Sequence, residues 1–114
     1  MTTAVLGLQE IAPSQAQPNV PLNENARILD AVVQLSVLSV RNSPAGGEAD
    51  GARYIVGSSP SGAFSAFAAN AVAYLSNGTW LAVSPTAGWL AWNQALGGHY
   101  RFTTGSPGGW NFVF

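Results

Sequence analysis

The chain has 114 residues, of which 47% are apolar but only 8% charged, and its net charge is −1. That length fits one domain with a modest core. The near-neutral balance excludes the basic footprint that nucleic-acid binding requires, and the lack of cysteine excludes disulfides.

The scarcity of charge is the first informative feature. Typical globular proteins carry roughly 25% charged residues. Here there is no lysine, and the segment from Tyr54 to Tyr100 holds no Asp, Glu, Lys or Arg. A circulating monomer usually keeps more surface charge for solubility. The pattern fits a protein that hides surface in an assembly, with a Ser/Thr/Asn-coated monomer as the plain alternative. The N-terminus lacks the basic and apolar regions of a secretory signal. No run approaches the length of a membrane span.

In chain order, residues 1–20 read as an extended docking arm. Pro13, Pro18 and Pro21 interrupt any helix, and Gln9, Gln15, Gln17 and Asn19 keep the arm polar and uncharged. Residues 21–41 read as one long helix, with Asn23 as its N-cap, Glu24 in its first turn and Arg41 in its last. Leu22, Ala26, Leu29, Val33, Val37 and Val40 recur at steps of three and four. Ile28, Val32 and Leu35 form a second apolar stripe. A helix apolar on both sides needs cover on both. Leu22, Ala26, Ile28, Leu29, Val32, Val33, Leu35 and Val37 are therefore the expected oligomer-interface and core residues, one stripe meeting the chain's own sheet and the other a second subunit. The β-branched Val32, Val33, Val37 and Val40 weaken the helix and allow its end to become extended.

Residues 42–52 are a loop, rich in Pro, Gly and Asp. All twelve aromatic residues follow it. Residues 53–114 read as short strands: RYIVG, AVAYLS, TWLAV, GWLAW, HYRFT and WNFVF. Asn77-Gly78 between two alternating runs marks a type I′ hairpin. The expected class is α+β: an extended N-terminal arm, one long helix, then a small antiparallel sheet or partial barrel of about five to six short strands.

The ordered residues resemble a known family. They run from Gln15-Ala16-Gln17 through Asn23-Glu24 and Leu29-Asp30-Ala31-Val32-Val33-Gln34-Leu35-Ser36-Val37 to Gly51-Ala52-Arg53-Tyr54-Ile55-Val56-Gly57. Ser61-Gly62-Ala63-Phe64, Ala71-Val72-Ala73-Tyr74, Asn77-Gly78-Thr79-Trp80 and Pro85-Thr86-Ala87-Gly88-Trp89 complete the set. This is similar to an uncharacterised family of small domains in tailed bacteriophages and gene transfer agents, which often form the front end of tail fibres, tailspikes or head spikes. Here Pro18-Asn19 stands where relatives often carry Lys-Glu. The resemblance implies a virion structural protein, located in the particle, that joins capsid or tail proteins by subunit docking. It brings no catalytic residues.

The residues themselves offer little chemistry. His99 is the single histidine and has no Cys or acid near it in sequence. Glu48 and Asp50 sit in a glycine-rich loop rather than across a rigid cleft. No cofactor, metal or enzymatic role is expected. The tryptophans have two readings, as core or interface and as a platform for host glycans through Trp89, Trp92 or Trp110. Strand alternation turns Trp89 and Trp92 to opposite faces. The expected partners are further copies of the chain, with a trimer favoured, and other virion proteins, with a host glycan as the alternative.

Overall fold

A computed structural model describes residues 2–10, 19–105 and 108–114; much of the expected arm, 11–18, lies outside the described residues. Among the described residues one α-helix, α1, is present and spans Asn19–Val32. Eight short strands follow: β1 Ser36–Val37, β2 Val40–Arg41, β3 Arg53–Val56, β4 Val72–Ser76, β5 Thr79–Val83, β6 Leu90–Asn93, β7 Gly98–Thr103 and β8 Gly109–Phe112. The class is α+β, but the strands form two four-stranded sheets, ordered β1-β6-β7-β8 and β2-β3-β4-β5.

The expected helix over 21–41 is nine residues too long at its C-terminal end. The Val33 amide still donates to the Leu29 carbonyl (2.9 Å). Gln34 then adopts a left-handed conformation (φ 50°), which stops the helix. Beyond it the chain is extended because two sheets compete for it. The amides of Trp92 and Gln94 donate to Leu35 and Val37 (both 2.9 Å), adding β1 parallel to β6. The Leu38 amide donates to Arg53, and Ile55 and Gly57 donate to Ser39 and Arg41, adding β2 parallel to β3. Residues 35–41 thus stitch two antiparallel three-stranded meanders together, and both sheets become mixed. At the other end the helix begins before Asn23, so Asn23 is a buried helix residue and not the cap.

The segments expected as about five to six short strands after residue 53 appear as β3 to β8, divided between two sheets rather than forming one antiparallel sheet or partial barrel. Asn77 (φ 51°) and Gly78 (φ 76°) make the tight turn between β4 and β5. The Asp50 carboxylate accepts from both of their amides (3.0 and 3.2 Å), so the glycine-rich loop braces the hairpin tip.

Two clusters form the core, one on each face of the β2-β3-β4-β5 sheet. Ile55 and Val72 point toward the other sheet, where they meet Leu35, Val37 and Ala91 with Trp89, Tyr100 and Trp110 packed alongside. Tyr54, Val56 and Ala73 point the opposite way, onto Phe64, Ala71, Leu38, Phe67 and Trp80. A 3-10 turn at Gly62–Phe64 delivers the fully buried Phe64, whose ring meets Trp80 edge-on at 5.1 Å. The Trp110 indole donates to the Asn70 carbonyl (2.8 Å) and ties β8 to the start of β4. Among the described residues no helix is long and apolar enough to cross a membrane.

Candidate functional site

The helix lies the opposite way round from an ordinary surface helix. Its inward face carries Asn23, Arg27, Asp30 and Ala31; Asp30 and Ala31 are both 0% exposed. Its outward face carries Leu22 (48% exposed), Ile28 (46%), Leu29 (51%) and, just past its end, Val33 (42%). An amphipathic helix normally points its apolar stripe at the core. Here the polar stripe holds the chain's own contacts and the apolar stripe faces solvent.

Asp30 explains the inversion. Its carboxylate accepts from the Thr3 hydroxyl (2.7 Å), the Val5 amide (2.8 Å), the Leu6 amide and the Tyr74 hydroxyl (2.5 Å). A buried carboxylate is tolerated when its lone pairs are satisfied in this way. Burial by itself would raise the Asp30 pKa. The bonds from Tyr74, Leu6, Thr3 and Val5 outweigh it and hold the group below the usual carboxylate range. The Tyr74 hydroxyl is pushed far up, first by burial and then by its bond to Asp30. Arg53 on β3 donates to the Ala31 carbonyl (3.2 Å), satisfying a free carbonyl in the last helical turn. Burial lowers the Arg53 pKa, while the charge of Asp30 acts to raise it.

The N-terminal segment is the fourth side of this network, and here the expectation of an extended arm is corrected for residues 2–10. Thr3 bonds Leu8 through both its amide and its hydroxyl, and Thr2 bridges Gln9. The segment closes into a small loop seated on its own helix. Glu10 forms an ion pair with Arg27 (3.1 Å), one turn before Asp30. The regular spacing of Asn23, Arg27, Asp30 and Gln34 was the available signal. A polar stripe as periodic as the apolar ones can also be the buried one.

Glu48 is engaged too, as is Asp50 at the hairpin tip. Glu48 accepts from the Tyr54 hydroxyl (2.7 Å) and from the amides of Ala45 and Gly46. The Tyr54 bond is the main cause of its lowered pKa.

The eight expected interface residues separate into three groups. Leu22, Ile28, Leu29 and Val33 lie on the exposed face, and Ala26 and Val32 are half-buried. Leu35 and Val37 are not helical at all; they are buried in the chain's own core because β1 joins β6. Trp89 and Trp110, both half-buried, pack against that core. Trp92 is 39% exposed on the outer face of its sheet, edge-on to His99 at 5.0 Å, and the Phe114 ring lies 5.0 Å beyond His99. Gln34, Leu35, Leu90, Trp92 and His99 line a shallow depression of about 360 Å³ there.

A profile for a family described as a protein of unknown function, DUF2793, matches residues 22–111. The chain belongs to the DUF2793 family. The DUF2793 match runs from the start of the exposed helix face to β8, and the Thr3 loop that clasps Asp30 lies outside it. No curated protein and no solved structure matches the chain.

Proposed function

We propose that this DUF2793 domain is a virion structural protein of a bacteriophage, a small head-decoration, spike or fibre-attachment protein that acts by subunit docking. The observation that carries the reading is the exposed apolar face of Leu22, Ile28, Leu29 and Val33. Contiguous exposed apolar surface of this kind marks an interaction site. The face belongs to a helix whose polar side is already occupied by Asp30 and Arg27, so the helix cannot roll over to hide it. Helices of symmetry mates then pack these faces together, with three copies favoured. The role is one of assembly rather than catalysis, because Asp30, Glu48 and Asp50 each hold structural hydrogen bonds. The virion setting rests on the family resemblance of the ordered motifs.

Light scattering coupled to size exclusion tests the docking face. Leu29→Asp should lower the assembly mass at micromolar concentration with an unchanged far-UV spectrum, since Leu29 makes up little of the fold's core. Equal masses for the wild type and Leu29→Asp would refute helix-mediated docking. Electron microscopy of intact particles would locate the protein on head or tail and count its copies.

The exposure of Trp92 favours a second reading, a glycan contact on the outer face of β6 and β7. It predicts quenching of tryptophan fluorescence by a host glycan, lost in Trp92→Ala. No response across a glycan panel would dismiss it.

A further inference from the structure

Strand β5 is the outer edge of the β2-β3-β4-β5 sheet. Natural edge strands are blunted by charge, proline, a bulge or a covering segment. Thr79–Val83 reads TWLAV, with no charge and no proline, and its pairing with β4 is unbroken from Ser76↔Thr79 to Val72↔Val83. The two-residue turn makes Ser76 and Thr79 a hydrogen-bonded pair. Alternation then turns the amides and carbonyls of Thr79, Leu81 and Val83 toward β4, and those of Trp80 and Ala82 away from it. Among the described residues, no segment outside the sheet hydrogen-bonds to that outer side.

We propose that β5 pairs antiparallel with β5 of a second copy, about a two-fold axis at Leu81. This register places Trp80 opposite Ala82 of the second copy, twice. The two outward-facing positions thus meet each other and form about four backbone hydrogen bonds. The same pairs set a large side chain against a small one, and Thr79 against Val83, which has nearly its shape. Leu81 meets its own copy at the closer, non-hydrogen-bonded position. Self-pairing puts like beside like at its centre, which is costly for charges and harmless for an uncharged strand. A cleft of about 260 Å³ between the helix and β5 runs along the same strand, lined by Glu24, Arg27, Ile28, Tyr74, Leu81 and Val83 among others. A second copy seated at β5 covers Leu81 and Ile28, both exposed in the single chain. The contact is isologous and closes at two copies, consuming both open edges.

This interface touches the exposed apolar helix face only at Ile28, on the flank away from Leu22, Leu29 and Val33, and the test keeps the two apart through Leu29 and Leu81. In the Leu29→Asp background the chain should remain a concentration-dependent dimer, and adding Leu81→Lys or Leu81→Glu should make it monomeric. Mixing the Lys and Glu variants should restore a dimer through the opposite charges at the axis. The chain has no cysteine, so Leu81→Cys in that background gives a clean cross-link, because paired positions about 4.5 Å apart fit a disulfide. Fast covalent dimerisation under mild oxidation is expected, with Ala87→Cys as the exposed control. A monomeric Leu29→Asp chain would overturn the proposal. So would Leu81→Cys cross-linking no faster than Ala87→Cys, or dimers that survive both charge variants. The helix-docking reading fails by a different result, equal masses for wild type and Leu29→Asp.

Discussion

Replacing Asp30 by alanine should be the most damaging single change on the helix. The carboxylate is the common acceptor for Thr3, Val5, Leu6 and Tyr74. A hydrogen bond to a charged group is worth about 1.5–3 kcal/mol. Four of them do not simply add, because the Val5 and Leu6 amides lie in a partly exposed segment and regain water when it lifts away. The Tyr74 hydroxyl is buried with Asp30 and loses the acceptor for its proton, while the Thr3 hydroxyl keeps the Leu8 amide as a donor. The net loss should be about 3–5 kcal/mol, the usual cost of breaking a buried charged network. Domains of this size are stable by about 5–15 kcal/mol, so Asp30→Ala should still fold in part. Urea titration followed by tryptophan fluorescence measures the change. Deleting residues 1–10 removes Thr3, Val5 and Leu6 together. Combined with Asp30→Ala, it should cost less than the sum of the two separate effects. A loss below about 1 kcal/mol for Asp30→Ala, or strict additivity with the deletion, would refute the account of the clasp.

Stability should also fall at acid pH through this same group. The Asp30 pKa is held below its unfolded value of about 4, so its contribution is complete above that value and disappears as pH drops through the folded one. Urea midpoints between pH 7 and pH 2 should show this fall, and Asp30→Ala should flatten it. Tyr74 works in the opposite direction: its folded pKa is raised, so stability is lost as pH climbs above about 10, and Tyr74→Phe should remove that alkaline limb. Gly98→Ala would bring a Cβ to 2.4 Å from Phe112 Cε1 and 2.9 Å from the Phe114 carbonyl oxygen. It should cost about 1–3 kcal/mol in thermal or urea melts by pushing the C-terminal strand off β7. Acrylamide should quench Trp92 more than the other three tryptophans, which single Trp→Phe variants can resolve; equal quenching would contradict the outward placement of Trp92.

The strands after residue 53 could be read from the chain because their signals are local. Asn77-Gly78 needs only its own backbone freedom to make a turn, and strand alternation alone sends Trp89 and Trp92 to opposite faces. The α+β class and the helical period from Leu22 to Val33 are local in the same sense. Three features had no local cause. The helix stops at Val32 because Leu35–Arg41 gains more by pairing with β6 and β3, strands that lie some fifteen to sixty residues later, than by continuing as helix. Residues 2–10 are not an extended arm because Thr3 finds Asp30, which the fold places beside it. Periodicity showed that the helix has polar and apolar stripes, and left open which of them faces in. Tyr74, forty-four positions from Asp30, settles that by bringing a buried hydroxyl to the carboxylate. Long-range hydrogen bonding to one acid turned the apolar stripe outward, and only the tertiary structure could decide it.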